Sequence, residues 1–206
     1  QPVRSRFANT VIHSRKRLRY REAQDLIDGR DEIYHPDGNR LPSDYPAEVV
    51  KLLHDMNTLS RRIQKRRHAA GQLVLNLPKM SLVLNDEGKV VDAVPEDESF
   101  THTLIEMFMV EANESVARLL DVLDVPFLRR THPDPDPKAT ERLTHFVSAL
   151  GHALPKEIDR HVLQGLLKKV KGRPEAFAVN LAVLRSLTRA EYSPKKVGHF
   201  ALASTH

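Results

Sequence analysis

The chain has 206 residues, 40% of them apolar and 29% charged, ample for a sizeable core and ordinary for a soluble protein. There is no uncharged apolar run of about 18 residues and no signal-peptide pattern at the start, so membrane spans are not expected. Cysteine is absent, which excludes disulfides and thiolate metal sites and suits a reducing cytoplasm; the net charge of +5 leans toward polyanionic partners.

In chain order, residues 7–13 (FANTVIH) read as a strand and Tyr20–Asp28 as a short helix stopped by Gly29. Residues 30–44 carry Pro36-Asp37-Gly38-Asn39 and Pro42-Ser43-Asp44 and read as a loop. A long amphipathic helix is predicted from Ala47 to about Ala70, with Val49, Leu52, Leu53, Met56, Leu59 and Ile63 as its inner stripe and a far end basic on all sides. Gly71 ends it. Three short strands follow at 73–77, 81–85 and 89–94, the last two joined by the hairpin signal Asp86-Glu87-Gly88.

A central helix is predicted over about 99–123, because Leu104, Met107, Val110, Ala117 and Leu120 recur at three- and four-residue spacing. Glu106 and Asn113 lie on one side of it, two turns apart. A carboxylate there needs a partner or a wet cleft, since burial alone is too costly. Residues 125–130 read as a strand, then a Pro-rich turn at 132–137, then helices near 138–152, 159–171 and 174–190. Residues 192–200 read as a loop that re-enters structured parts. The fold class is α+β, helix-dominated, with a small antiparallel sheet.

Charge is distributed unevenly. Residues 1–21 hold Arg4, Arg6, Arg15, Lys16, Arg17, Arg19 and Arg21 and no acid, and a second basic run spans Arg61–His68. Such clusters suit a phosphate-facing surface; solvated helix faces are the plainer explanation. No Gly-rich phosphate loop, nucleophile elbow or zinc-type histidine spacing is present. His145, His152 and His161 read as solvated or core histidines, and Asp134 and Asp136 as turn punctuation. On its residues alone the chain supplies no reaction centre, so no catalytic residue and no metal ligand is assigned.

Four blocks in order carry a more specific signal: VIHSRKRLRYREAQDLIDG at 11–29, LIEMFMVEANESVARLL at 104–120, FLRRTHPDPDPKA at 127–139 and GHFALAS at 198–204. Together they resemble the catalytic (RNB) domain of the ribonuclease II/ribonuclease R family, nearer the ribonuclease R branch, over essentially the whole chain. The resemblance implies a processive 3′→5′ exoribonuclease that uses Mg2+ to hydrolyse single-stranded RNA to nucleoside 5′-monophosphates. A cytoplasmic protein and a monomer are expected.

In that family a cluster of aspartates binds the metals. Those aspartates precede the segment matching residue 1, and the family's SPIRRYPDL-like stretch with its catalytic arginine should follow His206. The chain starts with Gln1 and ends without a turn signal, so it reads as the central part of one RNB domain, truncated at both ends, with the Mg2+ ligands absent.

Tyr20, in RLRY, falls on the family's RLxY tyrosine, and Glu106, in LIEMFM, on the first glutamate of its IEExM-like motif. The resemblance places both beside the terminal nucleotides. A carboxylate accepts a hydrogen bond from a ribose 2′-hydroxyl, and an aromatic ring offers a stacking face. Where relatives often carry a base-stacking phenylalanine, this chain has Leu75, and Met107 replaces the second glutamate.

Arg17 and Arg130 are candidate phosphate contacts, with Arg19 and Arg129 beside them. Alternatives stay open: Tyr20 as a helix-start residue packing on the preceding strand, Glu106 in a salt bridge, Asn113 as a structural cap, Arg130 paired with Asp134 or Asp136. A non-catalytic single-stranded RNA-binding module is the alternative function.

Overall fold

A computed structural model describes residues 5–205; Gln1, Arg4 and His206, named above, lie outside the described residues. It contains six α-helices, α1 (Tyr20–Asp28), α2 (Ala47–Ala69), α3 (Phe100–Val122), α4 (Pro137–Ala149), α5 (Arg160–Val170) and α6 (Ala176–Ser186). Two antiparallel pairs accompany them, β1 (Met80–Leu84) with β2 (Val90–Pro95), and β3 (Arg129–Thr131) with β4 (Glu191–Ser193). The α+β, helix-dominated expectation holds, with two small sheets in place of one. Among the described residues no helix is long and apolar enough to cross a membrane.

Two predicted strands do not form. Residues 7–13 have no regular structure, and Val11 and Ile12 are almost wholly exposed. β-propensity yields a strand only when a partner ladder is available. Residues 73–77 are likewise irregular, because their backbone bonds elsewhere: Leu73 N–H donates to the Ala201 carbonyl (2.8 Å) and Asn76 N–H to the Asn180 side chain (2.8 Å). The hairpin expected at 81–94 is present as β1–β2, and Asn85 closes its turn by accepting from the N–H groups of Glu87 and Lys89.

The inner face of α2 also differs from the expected stripe. Leu52 and Leu59 are exposed, whereas Ser60, Ile63 and Arg67 are buried and Leu53 and Met56 partly so. The face at 53, 56, 60, 63 and 67 has the same helical spacing, rotated by one position from the leucines. Ser60 fits inside because its hydroxyl donates to the Asn57 carbonyl at 2.9 Å. The basic end is therefore not basic on all sides in the exposed sense: Arg67 is an interior residue.

The chain divides into two compact units, residues up to 65 with 97–116, and residues 66–96 with those from 117 on. In the first, Leu26, Ile33 and Tyr45 form a small core with Leu18, Val50 and Leu53 against it, and Leu104, Met107 and Val110 of α3 are buried as the periodicity predicts.

The second unit is built on Leu143 and Val147 of α4, Leu163, Leu166 and Val170 of α5, and Val179 and Val183 of α6, joined by Leu73 and Phe200. Burial of this many aliphatic side chains, at about 1.5–3 kcal/mol each, is its main stabilising term. α4 and α6 run antiparallel, since Thr188 after α6 donates to the Pro133 carbonyl before α4 (2.9 Å) and His152 after α4 meets Glu175 before α6 (3.3 Å).

Of the 192–200 segment expected as a loop, residues 192 and 193 belong to β4, and its later part re-enters structured parts on His132. His132 N–H donates to the Gly198 carbonyl (2.9 Å) and Phe200 N–H to the His132 carbonyl (2.8 Å). The His132 ring bonds the Thr188 carbonyl through Nε2 (2.8 Å) and accepts the Ala201 N–H at Nδ1 (3.1 Å). The His199 ring lies 4.8 Å from it.

Burial, with the His132 ring and Arg130 alongside, pushes the His199 imidazole down to about 4. The neutral ring is thus favoured in the fold, while the unfolded chain takes up a proton near pH 6.5. Stability should be full above pH 6.5 and fall as pH drops from 6.5 to 4, by on the order of 2 kcal/mol. Urea titrations at stepped pH check this; a His199→Asn variant that keeps the same acid slope would assign the slope to another group.

Candidate functional site

The residues that bear on function in the first unit gather where α1 and α3 begin. The first turn of α1 is held by Glu22, buried at 2% exposure, whose carboxylate accepts the Arg19 N–H (2.9 Å) and the Tyr45 hydroxyl (2.6 Å). An acid three residues into a helix satisfies an N–H that the helix itself leaves unpaired. The start of α3 docks on the same turn: Thr101 donates its hydroxyl to the Tyr20 carbonyl (2.8 Å) and its N–H to the Gln24 side chain (3.1 Å).

Tyr20 itself is the first residue of α1, as the plainer alternative had it. Its ring does not pack on a preceding strand, since none forms; it stacks on His102, centroids 3.8 Å apart and planes 24° from parallel. The His102 ring reaches Asp97 through Nε2 (3.3 Å), and Asp97 accepts from both the N–H (3.1 Å) and the hydroxyl (3.0 Å) of Ser99. Burial opposes ionisation of Asp97, but the Ser99 and His102 hydrogen bonds outweigh it and hold the carboxyl below its usual range.

Glu106 lies one helical turn beyond His102, at the four-residue spacing that puts two side chains on one face. It is exposed and makes no hydrogen bond or ion pair among the described residues, so the salt-bridge alternative finds no partner there. The tension of a carboxylate in an apolar stripe is resolved by rotation: Leu104 and Met107 turn inward while Glu106 faces out. Asn113, two turns on, is exposed too. The Tyr20 ring, the His102 ring and the Glu106 carboxylate thus occupy one side of α3. Beside them, Leu18, Ala23, Leu53, Leu104 and Ile105 help line a cavity of about 260 Å³ that Tyr20 also borders.

The other predicted residues sit as follows. Arg17 is exposed in the irregular segment before α1. Leu75, in the second unit, is partly buried against that unit's aliphatic core, and its packing there is what the structure displays for it. Arg130 is exposed and lies over the ring of its cross-strand partner Tyr192 (5.1 Å), not in an ion pair with Asp134 or Asp136; Asp136 instead caps α4 by accepting the Lys138 N–H. Arg129 is buried, pairs with Asp121 and lies 3.8 Å over the Phe127 ring. It is a structural residue.

His102 and Asp97 were missed by the sequence reasoning. The run Asp97-x-Ser99-x-Thr101-His102 at a predicted helix start was the available signal, since Ser and Asp concentrate where helix N–H groups need acceptors. Among the described residues no three His, Asp or Glu side chains come together as a metal site. The described residues therefore do not fit a magnesium centre.

A family model described as "RNB domain" matches residues 2–206. Ribonuclease R of Aquifex aeolicus is 34% identical over 199 residues, 96% of this chain and 27% of that protein. The structure of Mycoplasma genitalium RNase R in complex with ribose methylated single-stranded RNA shares the fold, with a TM-score of 0.79 at 24% identity over 91% of this chain and 28% of that one. The same protein in complex with double-stranded RNA matches at 26% identity and a TM-score of 0.68, over 73% of this chain and 27% of that one. The chain thus spans about a quarter of the length of the relatives it matches.

Proposed function

This chain belongs to the RNB domain family, and from that premise we propose that it is part of a processive, cytoplasmic 3′→5′ exoribonuclease, with these residues forming part of the wall of its single-stranded RNA path. In this reading Tyr20 offers a stacking face to a terminal base and Glu106 accepts the ribose 2′-hydroxyl. Arg17 and Arg130 neutralise phosphates without reading sequence, and Leu75 touches RNA as an aliphatic neighbour. Magnesium and its aspartate ligands belong to parts of the longer protein outside these residues.

The observation that carries the reading is the face of α3 that bears His102, on which the Tyr20 ring stacks, and one turn on the exposed Glu106 carboxylate, without a partner among the described residues, in an RNB-family chain. RNA bound to Mycoplasma genitalium RNase R supports RNA as the ligand class. A carboxylate with no partner among the described residues is available to a hydroxyl that DNA lacks.

The test compares full-length wild type and Glu106→Ala on matched RNA and DNA oligonucleotides. Discrimination against DNA should relax by about tenfold, the scale of one charge-assisted hydrogen bond, more than RNA turnover falls. Equal loss on both substrates would make Glu106 structural.

A further inference from the structure

We propose that His102 is a positioning residue for Tyr20: its imidazole occupies one face of the phenol ring, fixes the ring plane and leaves the opposite face as the only one on which a base can stack. The inference rests on the reading that Tyr20 contacts RNA, and it adds the device that prepares Tyr20 for that contact.

Four features of the first unit carry it. The two rings are in parallel contact at 3.8 Å, close enough that the tyrosine cannot swing through the histidine. Tyr20 nevertheless keeps 43% of its surface exposed, so the stack with His102 does not enclose it. His102 is itself restrained, since its Nε2 reaches Asp97, which Ser99 holds by two hydrogen bonds. The backbone beneath is pinned separately, by the Thr101 hydroxyl on the Tyr20 carbonyl.

A free tyrosine side chain at a helix start samples several rotamers, and each binding event must freeze them. Holding the ring in advance removes that penalty from binding. Thr101 restrains the main chain and His102 restrains the ring, so removing the imidazole should loosen the platform without unseating α1.

The experiment measures affinity of the full-length protein, in EDTA to prevent hydrolysis, by fluorescence anisotropy with two oligoribonucleotides. One carries ordinary bases throughout; the other is abasic at its last two 3′ nucleotides. Tyr20→Ala should weaken the ordinary oligonucleotide about tenfold and His102→Ala about fivefold, with the abasic one changed less than about twofold by either. The double variant should match Tyr20→Ala alone, because His102 acts through Tyr20. His102→Phe, which keeps a flat ring at that place, should restore most of the loss.

Equal loss on both oligonucleotides, or losses that multiply in the double variant, would overturn the positioning role while leaving the Tyr20 contact standing. If Tyr20→Ala leaves the ordinary oligonucleotide unaffected, the RNA contact itself falls, and the inference falls with it.

Discussion

Glu22→Ala should destabilise the protein by about 3–4 kcal/mol, because it removes a buried acceptor that serves two donors at once. The Tyr45 hydroxyl would be left buried without its 2.6 Å partner and the Arg19 N–H without its helix-start acceptor, and a void would open beside α1. Glu22→Gln keeps an acceptor in place and should lose about 1 kcal/mol. Urea unfolding of the three proteins gives the comparison; a loss under about 1 kcal/mol for the alanine variant would mean the pair is not structural.

The same pair makes a prediction at high pH. Burial, followed by the hydrogen bond to Glu22 and the charge of that carboxylate, pushes the Tyr45 phenol up to about 12. The unfolded chain releases this proton near pH 10, whereas the fold retains it, so stability falls as pH rises from 10 to 12. Tyr45→Phe should abolish that decline. Because Glu22 secures the turn that begins with Tyr20, Glu22→Ala should also weaken RNA binding, a link from core packing to the proposed interface.

Gly198→Ala is expected to be nearly as damaging, at about 3 kcal/mol. Gly198 has φ +81°, a region that side chains rarely adopt, and a Cβ there would stand 2.8 Å from the Ser204 carbonyl oxygen. That oxygen accepts the His199 N–H at 2.7 Å, and the Gly198 carbonyl accepts the His132 N–H, so relief of the clash disturbs the bonds that seat the 198–204 segment. Gly172→Ala supplies the control. Its φ is +77° but nothing lies within 4 Å, so backbone strain alone should cost about 1 kcal/mol. Thermal unfolding that ranks the two variants equally would remove the clash from the explanation.

Local signals were legible where a short stretch determines its own conformation. Tyr20–Asp28 was read to its observed limits, since a helix start, an apolar face and a stopping Gly29 are all local. The buried Leu104, Met107 and Val110 followed from period alone, as did the β1–β2 turn from Asp86-Glu87-Gly88. Family membership was legible too, in blocks at 11–29, 104–120, 127–139 and 198–204, because motif order survives where single residues are ambiguous.

What only the tertiary structure decided depends on partners distant in sequence. The strands expected at 7–13 and 73–77 have apolar residues in plenty, but no neighbouring strand offers them a ladder. The inner face of α2 is set by Ser60 and Arg67, which no hydropathy pattern would place inside. The stack of His102 on Tyr20 spans 82 positions along the chain and stands beside the hydrogen bond by which Thr101 joins α3 to α1. A sequence states which side chains can interact; the closure of long loops, its entropy set against the burial and bonding that closure permits, determines which of them meet.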